Sequence, residues 1–211
     1  MRCFVALLWL AACENVDFLH GGSRGPGGEI PDDGQNPAGD LTFAQMTLPP
    51  ASAWVNVVWG FGRNDVYAGV GHRLFHYDGS EWTVRGPTPS NLDITALAGH
   101  SGEVFVGAWS QFYVYDGAAF TNYSTGGIYA ITDMIAFAPD QVYFTVWITN
   151  PSVAGALYKF DGIEVSEVFR RPDTDLNGLW GTSPAELYLV GSYGKILRYA
   201  SGLVYDETVS W

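Results

Sequence analysis

"VWGFGRNDVYAGVGHRLFHYDGSEW", Val58 to Trp82, holds short apolar or alternating runs separated by Gly, Asp and Asn. Runs of a few β-branched and aromatic residues bounded by such turn formers read as strands. With their neighbours they give four strands: "NVVWG", "DVYAGV", "HRLFHY" and "EWTVR". None is long enough to be a helix, and the turn residues leave no room to extend one.

The unit then recurs. Moving 38 positions along the chain places Asp65-Val66-Tyr67 on Glu103-Val104-Phe105, Tyr77-Asp78-Gly79 on Tyr115-Asp116-Gly117, and Trp82 on Phe120. A third unit repeats Gln141-Val142-Tyr143 and Phe160-Asp161-Gly162, with about seven extra residues between them in "WITNPSVAGA". In the fourth, Leu179-Trp180-Gly181 matches Val58-Trp59-Gly60 and Glu186-Leu187-Tyr188 matches Asp65-Val66-Tyr67, but the turn has become Ala200-Ser201-Gly202. A period of about 40 residues with four strands per repeat is the signature of β-propeller blades. The expected fold class is therefore all-β, a propeller of four-stranded antiparallel blades, with repeats near 51–88, 89–126, 127–172 and 173–211. The segment Leu41 to Pro50 aligns with a fourth strand, giving five outer strands for four inner sets. The expectation is an incomplete ring whose exposed sheet edges favour self-association. The alternative is a compact four-bladed ring with a spare strand.

Recurrence also decides what the carboxylates in "FHYDGSEW" are for. A catalytic acid is needed once, whereas a turn is needed in every blade. Asp78-Gly79, Asp116-Gly117 and Asp161-Gly162 are read as structural turns between third and fourth strands, the Asp capping its own turn and the Gly accepting positive φ.

Composition agrees. The chain has 211 residues, 47% of them hydrophobic, enough to bury a substantial core in one domain. It carries 26 Gly, 8 Trp, 12 Tyr and 12 Phe with only 15% charged residues, a balance that favours short strands and glycine turns. With 22 acidic against 10 basic residues the net charge is −12, which repels phosphate backbones and argues against a nucleic-acid partner.

The first residues, "MRCFVALLWLAAC", carry a positive Arg2, an apolar run of signal-peptide length and small residues near a cut, and the run is too short to span a bilayer. Leu10-Ala11-Ala12-Cys13 resembles the lipobox of bacterial lipoproteins. The resemblance implies a signal peptide over 1–12 and an acylated Cys13 as the membrane anchor of an exported cell-envelope protein. Glu14 is not the aspartate that retains some lipoproteins at the inner membrane, which points to the outer membrane. Residues 14 to about 40, rich in Gly, Pro and Asp, read as a flexible tether, so that residues 13–40 form anchor and linker and 41–211 the propeller. With Cys3 removed and Cys13 acylated, no thiol is left for a disulfide, a zinc site or a nucleophile. The pattern from Val58 to Trp82 likewise resembles bacterial repeat-propeller lipoproteins, whose units run WG, DVYAVG, HYDG and a tryptophan. It is similar to the Asp-box turns of sialidase-type propellers too, although the Ser-x-Asp-x-Gly order is not kept.

Function should show where repeats differ in register. Gly71 in the first unit corresponds to Trp109, Trp147 and, after one inserted residue, Tyr193. All are expected at the hairpin between second and third strands, on the propeller face that usually carries ligands, where large aromatics can stack on sugars or dock a protein. Trp109, Trp147 and Tyr193 are therefore the candidate ligand-binding residues.

Enzyme signatures fail. "GHSGE" lacks the last glycine and the helix of a nucleophile elbow, and "GSYGKI" lacks the spacing of a phosphate loop. The four histidines show no metal-ligand pattern, and Arg63, Arg73, Arg85, Arg170, Arg171 and Arg198 fall at different repeat positions. No catalytic residue, metal or cofactor is expected. The leading expectation is a non-enzymatic, lipid-anchored module that binds a protein or glycan. The alternative is a fragment of a carbohydrate-active or other propeller enzyme whose catalytic groups lie in missing blades.

Overall fold

The computed structural model describes residues 53–149, 154–172 and 174–208. Blade 1 comprises β1 (Val55–Gly62), β2 (Asp65–Val70), β3 (Arg73–Tyr77) and β4 (Trp82–Pro87), and blade 2 β5 (Ile94–His100), β6 (Glu103–Ala108), β7 (Gln111–Tyr115) and β8 (Phe120–Tyr123). Blade 3 comprises β9 (Ala130–Ala138), β10 (Gln141–Ile148), β11 (Ala154–Phe160) and β12 (Val165–Pro172). Blade 4 comprises β13 (Leu176–Ser183), β14 (Glu186–Gly191), β15 (Ile196–Ala200) and β16 (Leu203–Asp206). Each is an antiparallel meander in sequence order. The fold is the all-β propeller architecture. The possible extra strand at 41–50 and Cys13 lie outside the described residues.

Burial explains the strand patterns. In blades 1 to 3, second strands are buried on both faces and so are apolar almost throughout, as in "EVFVGA" of β6, while fourth strands such as β8 expose alternate residues. The core lies between blades. Phe105, Phe112, Phe144 and Phe160 join blades 2 and 3, Tyr67, Ile94 and Tyr113 join blades 1 and 2, and Leu157, Leu176 and Leu189 join blades 3 and 4. First strands pack in series, β1 on β5, β5 on β9 and β9 on β13, with no comparable packing of β13 back onto β1. Among the described residues the four blades form an arc that is not closed.

Every first strand carries a β-bulge at one register position, occupied by Asn56, Thr95, Thr132 and Asn177. A bulge leaves one residue unpaired in its own sheet and re-aims its side chain. Here that side chain reaches the next blade: Asn56 Nδ2 donates to the Ile94 carbonyl at 3.2 Å, Thr95 Oγ1 to Ile131 at 2.7 Å, and Thr132 Oγ1 to Leu176 at 2.7 Å. Each acceptor is the residue just before the next bulge. The side chains of Ile94 and Ile131 also fill the space over Gly69 and Gly107 of the preceding blade, where a Cβ would come within 2.7 and 2.8 Å of them, closer than van der Waals contact allows.

The turns between third and fourth strands are built in two ways. In blades 1 to 3 four residues close the loop: Asp78 Oδ1 accepts from the N–H groups of Ser80 and Glu81, Asp116 Oδ1 from Ala118 and Ala119, and Asp161 Oδ1 from Ile163 and Glu164. Gly79, Gly117 and Gly162 follow at φ of 97°, 95° and 91°. Blade 4 instead pairs Ala200 with Leu203 across two residues, Ser201 and Gly202, both at positive φ. That is a shorter primed hairpin rather than a degraded copy of the longer loop.

Candidate functional site

Trp109 lies at the hairpin between β6 and β7 with φ of +47°, the left-handed region that Gly71 occupies at +54° in blade 1. A bulky side chain is strained there, at a cost of about 1–3 kcal/mol, so the turn itself does not select tryptophan. Its ring, 39% exposed, meets Tyr129 edge-on at 5.7 Å, and Tyr129 meets Trp147 edge-on at 5.1 Å. Edge-to-face contacts at these distances are the favoured aromatic geometry.

Trp147 departs from expectation in position. It lies inside β10, opposite Ala130 and Gly155, rather than in a hairpin, because the longer third-unit insertion lets β10 and β11 run on. Its ring is half-buried, and its indole Nε1 is buried with no hydrogen-bond partner among the described residues. Tyr193 is in a 3-10 turn, Ser192–Gly194, at φ of +58° and 98% exposed, with no ring contact among the described residues. The structure thus brings Trp109 and Trp147 together and leaves Tyr193 apart.

Tyr129, which joins the two tryptophans, was not legible from the repeats. It sits in the connection "STGGIYA" between β8 and β9, outside the aligned strands. Its N–H donates to the Trp147 carbonyl at 2.9 Å, and the N–H of Ile131 donates to the Trp109 carbonyl at 2.8 Å, so the connection is fixed to both blades. Beside these rings the same connection encloses a polar cleft of about 240 Å³, lined by Ser110, Gln111, Asn122, Ser124, Thr125 and the Gly126–Ile128 backbone. Thr125 Oγ1 donates to the Ser110 carbonyl at 2.8 Å, and Asn122 Nδ2 to Gln111 Oε1 at 3.1 Å. The result is a row of three rings with amide and hydroxyl groups next to it.

The ionisable groups are held for other purposes. Backbone N–H of Glu81 and the Ser80 hydroxyl bring the Asp78 carboxyl down to about 2, and the N–H groups of Ala119 and Glu164 lower Asp116 and Asp161 in the same way. Asp133, one position after the bulge in β9, is different: burial pushes its carboxyl up to about 6, although the N–H groups of Leu179 and Met134 donate to it at 2.7 and 2.8 Å. Leu179 belongs to blade 4, so Asp133 ties two blades together. His76 lies between Asp65, 2.7 Å from Nε2, and Arg85, 2.7 Å from Nδ1, with no hydroxyl or thiol nucleophile on either nitrogen. Arg170 pairs with Glu167, Arg171 with Asp206, and Arg198 with Glu186 and Glu207. These pairs do not converge on one point, and among the described residues no group of three or more His, Cys, Asp or Glu side chains could hold a metal.

Neither a protein-family model nor a curated protein matches the sequence. Solved structures do. YCF48 bound to D1 peptide is 13% identical, with a TM-score of 0.58 over 80% of this chain and 59% of its own. The computationally designed Ika4 protein is 16% identical, with a TM-score of 0.57 over 79% of this chain and 99% of its own. YCF48 from Cyanidioschyzon merolae is 15% identical, with a TM-score of 0.55 over 70% and 51%. At such identities the likeness is one of fold, and the chain spans 59% of the length of the peptide-bound YCF48 chain.

Proposed function

We propose that this protein is a non-enzymatic binding module that seats an extended polypeptide segment across the Trp109–Tyr129–Trp147 row and the cleft beside it. The observation that carries this reading is Trp109, held in a strained left-handed turn and aligned with two rings from the neighbouring blade and connection. Strain kept where glycine would be easier is a mark of function. The rings offer large rigid contact area at small entropic cost, and the Gln111 and Asn122 amides offer pairing for a backbone. The neighbour whose structure holds a D1 peptide is a propeller of similar fold. With a net charge of −12, a neutral or basic segment is favoured over an acidic one. The amide-rich cleft beside stacked rings also supports a glycan ligand on the same surface.

Random-peptide display followed by fluorescence anisotropy, in parallel with a glycan array, tests both. Trp109→Ala and Tyr129→Ala should each weaken the selected ligand by about 30-fold or more, while Tyr193→Ala should not. Equal binding by all three variants would remove the site.

The lipobox resemblance supports a further part of the reading: Cys13 is acylated and holds the propeller at a bacterial cell envelope, at the outer membrane. Intact mass of the envelope-fraction protein should fit cleavage before Cys13 plus acyl chains, and Cys13→Ala should release the protein. An unacylated mass would overturn the anchor.

A further inference from the structure

Blade 1 is buried on the face turned away from blade 2 as well as on the face turned toward it. Successive residues of a strand point to opposite faces. Tyr67 and Gly69 of β2 face blade 2, where a Cβ on Gly69 would meet Ile94. Ala68 and Val70 point the other way and form a separate cluster with Phe75 and Trp82. Ala68 is 3% exposed, Val70 2% and Phe75 0%. An uncovered blade face of this same molecule looks different: on blade 4, Trp180 is 50% exposed, Val190 48% and Ile196 36%. In blade 2 the same repeat positions, Val106, Ala108 and Tyr113, are closed off by Val57, Trp59 and Phe61 of blade 1. Among the described residues blade 2 is the blade packed on blade 1, and the cluster on the far face holds only blade 1 side chains. A face so little exposed needs a cover that the described blades do not supply.

We propose that Leu41 to Pro50 of this same chain lies extended across that face and closes it. The path of the chain leads there: Gly71 N–H donates to the Trp54 carbonyl at 3.0 Å, and a Cβ on Gly71 would stand 2.8 Å from the Ala53 Cβ, so the residues entering β1 arrive beside Val70. "LTFAQMTLPP" offers Leu41, Phe43, Met46 and Leu48 within eight residues, spaced by Thr, Ala and Gln. Ten extended residues reach about 33 Å, against about 14 Å across four strands, so the segment is long enough to cross the sheet. The small side chains of Ala68 and Val70 leave space beside Phe75 that larger groups such as Phe43 and Met46 can fill. Residues 14–40 are too rich in Gly, Pro and Asp to cover an apolar face. Phe4 to Leu10 are apolar, but they join blade 1 only through that stretch, and closing the longer loop costs more chain entropy. The tether proposed above then leaves the propeller from blade 1, at the end of the series of blades opposite to the exposed Trp180 and Val190.

The test is thiol labelling of the full chain in a Cys3→Ser, Cys13→Ser background. Val70→Cys is the reporter, and Val106→Cys, on the equivalent face of blade 2 under blade 1, is the control. Both thiols should react slowly with iodoacetamide when nothing else is changed. Phe43→Asp and Met46→Asp should each speed labelling at position 70 by about 10-fold or more and leave position 106 slow, because a charge in the segment opens one face rather than the whole fold. Ala68→Cys serves as a second reporter if circular dichroism shows that Val70→Cys disturbs the fold. Leu7→Asp and Ile30→Asp should leave position 70 slow. Protection that survives both Phe43→Asp and Met46→Asp would overturn the proposal. So would acceleration by Leu7→Asp or Ile30→Asp, which would assign the cover to those segments instead. Equal acceleration at positions 70 and 106 would overturn it too, since residues 41–50 would then support the fold at large and not this face.

Discussion

Blades 2 and 3 and blade 4 are copies of one unit in different surroundings. Between the first two, Phe112 stacks with Phe144 at 5.2 Å and meets Phe160 at 5.0 Å, and all three are almost wholly buried. Among the described residues, blade 4 packs against another blade on one side only. Its core is built largely of leucines, and its other face exposes Trp180, Val190 and Leu203. What holds a blade to its pattern is thus the blade packed against it, more than the strand sequence itself.

The largest expected difference lies in the core. Phe112→Ala should cost about 3–5 kcal/mol in urea unfolding because the ring stack cannot collapse into the void, whereas Leu203→Ala, at a residue 60% exposed, should stay within about 0.5 kcal/mol. Equal effects would mean that blade 4 is covered in solution.

Next comes pH. Asp133 has a folded value near 6, above the usual carboxylate range, so the unfolded chain ionises first as pH rises. Its contribution is present below about pH 4 and lost between about pH 4 and 6, by up to on the order of 3 kcal/mol. Asp133→Asn keeps an acceptor for Leu179 N–H and should flatten that part of the stability profile. Asp78 has the opposite sign: its value is depressed to about 2, so its stabilising effect is lost as pH falls from about 4 to 2. An unchanged profile in the Asn variant would show that the carboxylate is solvated.

The junction hydroxyl should rank third. Thr132 Oγ1 donates to Leu176 and lies 2.8 Å from the Thr145 hydroxyl, so Thr132→Val should cost about 1–2 kcal/mol by leaving those groups unpaired. Smallest is a gain. Ser201 holds φ of +48° in the two-residue turn of blade 4, and Ser201→Asn, giving Asn-Gly, should stabilise by about 0.5–1 kcal/mol. Thermal unfolding would read both.

Much of this architecture was legible in the strand-and-turn period, because a blade cannot bury its faces alone and each copy must solve the same packing problem. Trp109 and Trp147 were legible as departures from that period. Tyr129 and Asp133 were not, since one lies in a connection the repeats do not align and the other occupies a strand position held by Ala96, Val57 and Gly178 elsewhere.

The sequence by itself determined the strands, their grouping in fours and the Asp-Gly turns, all set by interactions within about 40 residues. Only the tertiary structure decided that the bulge residues stitch each blade to the next, that three rings meet on one rim, and that Trp180 and Val190 of blade 4 stay exposed. Those depend on how blades are placed against one another, and a one-dimensional pattern does not record which surface an identical strand will find opposite it.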